Sequence, residues 1–209
     1  MTLMTDAKFR TTKLPTEYFD KMESYVELHP EYVSVSNLQR KIIDDFFQRE
    51  NEQFLTKFKI IFNENVIKLI HTKISNNFDM ESKEMLKENT IRKIINDSFD
   101  IDKNTFLSKF LVTFAKVHPF DDGNKRTSWL TVDIFLRLIG QTLEINTDKN
   151  ITEDEKFIWQ NSANQKTVEQ VKEYLANHIK PFTSSISSIE DEIDVLLKEK
   201  KSLWTNLSE

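Results

Sequence analysis

Residues 106–139 read FLSKFLVTFAKVHPFDDGNKRTSWLTVDIFLRLI, and the architecture of the chain follows from how that stretch divides. Phe106, Phe110, Phe114 and Val117, with Leu107 and Leu111, recur at the spacing of one face of an amphipathic helix. His118-Pro119 should end that helix, because a proline pushes the residue before it out of the α region. From Asn124 to Ile139 the sequence is apolar on nearly every face, as expected of a helix buried at the centre of a domain. The chain has only two glycines, Gly123 and Gly140, and they bracket this second helix. Glycine and proline break helix interiors, so their scarcity fits a chain that is mostly helical.

Outward from that core the same signals recur. Ser36-Asn37-Leu38-Gln39 reads as a capping box ahead of Leu38, Ile42, Phe46 and Phe47 at helical spacing. A second helix is expected over Phe54–His71, with Phe54, Phe58, Ile61, Phe62 and Leu69 apolar, and a third from about Ser82 to Ile95. Asn96 to Asn104, with three aspartates, reads as a loop or short extended flap. Two more capping boxes begin at Thr152 and Thr167; the second opens a helix carrying Val171, Leu175 and Ile179 and stopped at Pro181. After the serine-rich hinge Thr183–Ser188, residues Ile189, Ile193, Leu196, Leu203 and Leu207 repeat in a 4-3 pattern interrupted by Lys200. That stripe is expected to pack back on the domain, a coiled-coil or partner contact being the alternative. No repeat and no alternating strand is evident. The expected fold is all-α, divided into an N-terminal helical extension (1–84), a core (85–182) and a C-terminal amphipathic helix (183–209).

Composition narrows the function. A net charge of −5 argues against nucleic-acid binding, which draws on a basic surface to displace counterions. The absence of cysteine removes disulfides and thiolate chemistry. The polar stretch Met1–Lys13 is no signal sequence, and the apolar run Trp129–Ile139 is too short for a membrane span and carries Asp133 and Arg137. A soluble, cytoplasmic protein is expected, with export by a signal-less route left open.

Chemistry concentrates in His118-Pro119-Phe120-Asp121-Asp122-Gly123-Asn124-Lys125-Arg126-Thr127. Gly123 lets the backbone turn at positive φ or approach a ligand closely. The N–H groups of the Asn124–Arg126 turn then open a helix N-terminus, a ready anion site. Lys125 and Arg126 add positive charge, and arginine grips phosphate oxygens in a two-pronged fork. Asp122 is a hard oxygen ligand beside that site, the arrangement a phosphate-bound Mg²⁺ needs. His118 stands where a general base would take a proton from an attacking hydroxyl. Phe120 is expected to be a core anchor.

These residues resemble the Fic/Doc (Fido) signature: His-Pro-Phe, a variable residue, Asp or Glu, Gly-Asn, Gly or Lys, then Arg. The resemblance implies a helical Fic/Doc core and Mg²⁺-dependent transfer from ATP, or another nucleoside triphosphate, to a Ser, Thr or Tyr of a protein substrate. It implies that His118 deprotonates the acceptor, Asp122 holds Mg²⁺, Gly123, Asn124 and Lys125 cradle phosphates, and Arg126 neutralises their developing charge. Lys125 stands where adenylylating members carry a second glycine, and Trp129 where they carry a second arginine. Doc-like toxins share the Asn-Lys-Arg-Thr form, so phosphate transfer is favoured over AMP transfer (AMPylation). A nucleotide- or partner-binding module without turnover is the further alternative. Thr205-Asn206-Leu207-Ser208-Glu209 is similar to the start of an inhibitory Ser/Thr-x-x-x-Glu motif found in such proteins, and an antitoxin acting in trans is the other expected source of inhibition.

Overall fold

The computed structural model describes residues 15–61, 63–78, 89–100, 102–146, 152–183 and 188–207. They form helices α1 (Thr16–Leu28), α2 (Val35–Ile61), α3 (Glu64–Asn77), α4 (Thr90–Asp97), α5 (Lys103–Val117), α6 (Asn124–Leu138), α7 (Glu153–Ser162), α8 (Val168–His178), α9 (Ile189–Glu199) and α10 (Lys201–Asn206). Two three-residue strands, β1 (Gln141–Leu143) and β2 (Ile179–Pro181), pair antiparallel with Thr142 opposite Lys180. The fold is all-α. Residues 1–50 and 51–209 form two compact units.

In the first unit the α2 cap falls two residues earlier than the sequence suggests. The Ser34 hydroxyl, not that of Ser36, accepts the Asn37 N–H at 3.2 Å. Serine two positions upstream already meets the first free donors, so the turn closes there.

The second unit is built around α6, buried along almost its whole length. Phenylalanines from α2 and α5 meet against its Phe135. The Phe58 ring lies 4.4 Å from Phe106 and 5.1 Å from Phe135, and Phe54 lies 4.8 Å from Phe135, all edge-on. Edge-to-face contact suits the aromatic quadrupole and adds to the burial of these large rings. The helix expected over Phe54–His71 is two helices: α2 stops at Ile61, and Asn63 caps α3 by accepting the N–H groups of Asn65 and Val66. The expected helix from Ser82 appears only as α4, since 79–88 lie outside the described residues. Thr152 and Thr167 form complete capping boxes with Glu155 and Gln170.

The C-terminal stripe packs on the domain. Ile193, Leu196, Leu203 and Leu207 are buried, and α9 lies against α6 and α3. The interruption at Lys200 has a cause: its ammonium turns inward to the Asp133 carboxylate and to the Leu143 carbonyl. Asp133, fully buried, also accepts the Thr142 hydroxyl and the Leu143 N–H, each at 2.9 Å. One turn further along α6, Arg137 donates to Glu192 at 3.0 Å and to Glu199 at 2.6 Å. The two charges within the apolar helix therefore fasten β1, α9 and the α9–α10 junction to its back. Most of the hinge, 184–187, lies outside the described residues.

Candidate active site

The loop between α5 and α6 is held by local chemistry. His118 ends α5 in a left-handed conformation, φ 48°, as its N–H closes onto the Phe114 carbonyl. Such a φ is uncommon outside glycine and is where active-site residues are often found. Gly123 is left-handed too, φ 73°, and stands as N-cap of α6 with no side chain to cap it. The first intrahelical bond runs from Thr127 N–H to Gly123 O, so the N–H groups of the preceding turn have no partner further back within the helix. The Asn124 side chain is committed to the loop: its oxygen accepts the Phe120 N–H at 3.0 Å and its nitrogen donates to the Phe120 carbonyl at 2.6 Å.

Asp122 is exposed and accepts the Gly123 N–H through one carboxylate oxygen. Arg126 is 2% exposed, and its Nε and Nη1 have no hydrogen-bond acceptor among the described residues. Its guanidinium rests 5.0 Å from the Phe78 ring. Burial pushes the Arg126 guanidinium below its ordinary value, with Asp122 acting the other way. Buried donors without acceptors are costly, and a phosphate oxygen would satisfy them. Lys125 turns sideways, its ammonium 4.1 Å from the Trp159 ring. Burial, then the Arg126 charge, lowers the Lys125 pKa, and Asp122 opposes them.

His118 and the run Asp121–Arg126 line one wall of a cleft of about 340 Å³; Trp159 and Ser162 of α7, Ala163 just after it, and Leu207 form the rest. The motif residues singled out in the sequence thus come together in one cavity. A roomier cleft of about 500 Å³, around Lys59, Asn63 and Arg92, holds none of them. No three His, Asp or Glu converge as a metal cluster among the described residues. Mg²⁺ does not require one: it is commonly held by one or two carboxylates, waters and substrate phosphates, and Asp122 beside the anion turn fits that donor set.

Three contributors stand outside every motif of the sequence: His71, Phe78 and Trp159. His71 alone left a trace, a histidine on the buried stripe Ile67, Ile70, Ile74 of α3. The other two approach the site through long-range packing, as does Leu207 of the C-terminal stripe. Trp129 is fully buried with its ring edge-on to Tyr174 at 5.8 Å, a core position. Of the expected inhibitory segment, Ser208 and Glu209 lie outside the described residues; Asn206 donates to Glu155 at 2.9 Å.

Compared with known families, residues 31–136 match the model of the Fic/DOC family, a span that includes the whole His118–Arg126 loop. The chain belongs to the Fic/DOC family. No curated protein and no solved structure matches it. The Fic/DOC match covers half of the chain and ends within α6, so Trp159, Ser162, Ala163 and Leu207, which form the far wall of the cleft, lie beyond it. Membership makes the protein a Fic-type transferase in general terms. No helix among the described residues is long and apolar enough to cross a membrane.

Proposed function

We propose that the protein transfers a phosphate-containing group from ATP to a hydroxyl of a protein substrate, with phosphate itself the favoured group. The observation that carries this reading is Arg126, buried with Nε and Nη1 unpaired among the described residues, in the cleft that also holds His118 and Asp122. An anion with several oxygens answers that deficit better than any neutral ligand.

In this reading the acceptor hydroxyl loses its proton to His118 as its oxygen bonds to phosphorus. The bond from phosphorus to the leaving group breaks, releasing ADP when the γ-phosphate moves or pyrophosphate when AMP moves. Arg126 and the N–H groups at the start of α6 hold the phosphate oxygens where negative charge builds. That is positioning plus electrostatic stabilisation, which phosphoryl-type transfer chiefly needs. Asp122 would hold Mg²⁺, whose charge neutralises phosphate oxygens when bound. The acceptor is a Ser, Thr or Tyr of another protein, the setting is cytoplasmic, and inhibition comes from a partner such as an antitoxin.

Lys125 supports phosphate transfer by adding an ammonium where adenylylating members have none. AMP transfer stays as a second reading for a specific reason: Lys125 reaches Trp159, so its side chain does not fill the Gly123 turn. The test is incubation with substrate lysate and ATP labelled at the α- or the γ-phosphate. Label from γ alone supports phosphate transfer, label from α supports AMP transfer, and label from neither refutes transferase activity.

A further inference from the structure

The motif loop is held from outside by one side chain on α3. We propose that His71 is a positioning residue of the transfer reaction, an imidazole that grips both ends of the loop and fixes the span between His118 and Arg126. The proposal rests on the functional reading above and deepens it.

The geometry is specific. The His71 ring stacks on Phe120 with centroids 3.8 Å apart and planes inclined by 6°. Its Nδ1 lies 3.2 Å from the Thr127 hydroxyl. Phe120 stands two residues after His118, and Thr127 follows Arg126 directly. One ring therefore touches the chain within two residues of each of the two reacting groups. The Asn124 amide closes the loop internally through Phe120, so a shift of Phe120 carries the start of α6 with it.

Packing alone does not explain a histidine here. Its inward neighbours on α3 are Ile67, Ile70 and Ile74, and His71 itself is 1% exposed with Nε2 lacking any hydrogen-bond partner among the described residues. A fourth aliphatic residue would fill such a place without stranding a polar atom. What an aliphatic residue lacks is a flat face for Phe120 together with a nitrogen for Thr127. Burial keeps the ring neutral, which suits a neighbour of Arg126. The same helix end presents Phe78 to the Arg126 guanidinium, so α3 supports both the loop and its cation.

A group that sets the distance between base and phosphate grip acts on the transition state more than on ATP binding. The test uses the full chain and three variants: His71→Phe keeps the stack and loses the nitrogen, Thr127→Val removes the hydroxyl, and the third combines them. Each single variant should lower kcat about tenfold, with KM for ATP unchanged, since small misplacements of reacting groups cost that much or more. The double variant should lose no more than either single one, because both delete the same contact. His71→Phe should melt close to the parent, because it removes the unpaired Nε2 along with the contact to Thr127. Hydrogen exchange gives a readout independent of activity. Amides of 120–127 should exchange faster in both single variants while those of 129–138 stay unchanged. Unaltered kcat and unaltered exchange, losses that multiply in the double variant, or a loss that tracks falling stability would each overturn the proposal. Absence of transfer by the parent chain would instead refute the transferase reading, and the exchange comparison would still decide whether His71 holds the loop.

Discussion

Replacing Lys200 with methionine should loosen the C-terminal helices from α6 and cost about 3 kcal/mol. Methionine keeps most of the stem volume but removes the cation, leaving Asp133 charged at 0% exposure and the Leu143 carbonyl without that donor. Breaking a buried ion pair from one side costs roughly 3–5 kcal/mol. The low end applies here for two reasons. Asp133 keeps the Thr142 hydroxyl and the Leu143 N–H, and the Lys200 side chain is 12% exposed, so its release to water is partly prepaid. With a urea m-value of about 2 kcal/mol/M, the midpoint should fall by roughly 1.5 M. Trp129 and Trp204 are both buried, so their fluorescence reports the transition. Adding Asp133→Asn to the Lys200→Met chain should recover part of the loss, because a neutral amide needs no counter-charge yet still accepts from Thr142 and Leu143. A single-variant loss below about 1 kcal/mol would refute the buried-pair argument. So would a double variant no more stable than Lys200→Met.

Three further outcomes follow from the site. His118→Ala should lower transfer by about 10²–10⁴-fold, as loss of a general base does, while ATP binding by calorimetry stays unchanged; near-parental transfer would remove His118 from that role. Asp122→Ala and EDTA should abolish the same activity, with excess Mg²⁺ partly rescuing the variant, and full activity in EDTA would dismiss the metal assignment. Burial, aided by Arg126 and opposed by Asp122, lowers the His71 pKa from 6.5 to about 4. Between those values the unfolded chain takes up a proton that the native protein refuses. Stability should therefore fall as pH drops from 6.5 towards 4, by up to about 3 kcal/mol from this group, and be insensitive to it above 6.5. Urea titrations of the parent and His71→Phe at pH 7 and pH 4.5 check this, since equal losses in both chains would rule out His71 as the source.

What the sequence determined by itself were features set within a few residues. Thr152 and Thr167 cap their helices because a hydroxyl reaches donors only three positions on. His118 leaves the α region ahead of Pro119, and Gly123 takes the positive φ that its missing Cβ permits. The apolar pattern of residues 124–139 sufficed to bury α6, and the residue types of the His118–Arg126 loop mark the cleft they line. Even locally, neighbours competed: Ser34 displaced Ser36 as the cap, and Asn63 divided a continuous helical pattern into α2 and α3. The β1–β2 pair is not legible in the sequence because three residues are too few to show alternation, and its strands are separated along the chain by α7 and α8. Tertiary structure alone decided the rest. It turned Asp133 and Arg137 from odd charges in an apolar helix into anchors for residues more than fifty positions away, and brought Trp159 and Leu207 to the cleft. It set His71 against Phe120 and Thr127. Periodicity records which face of a helix is buried, but not which distant side chain it will meet there.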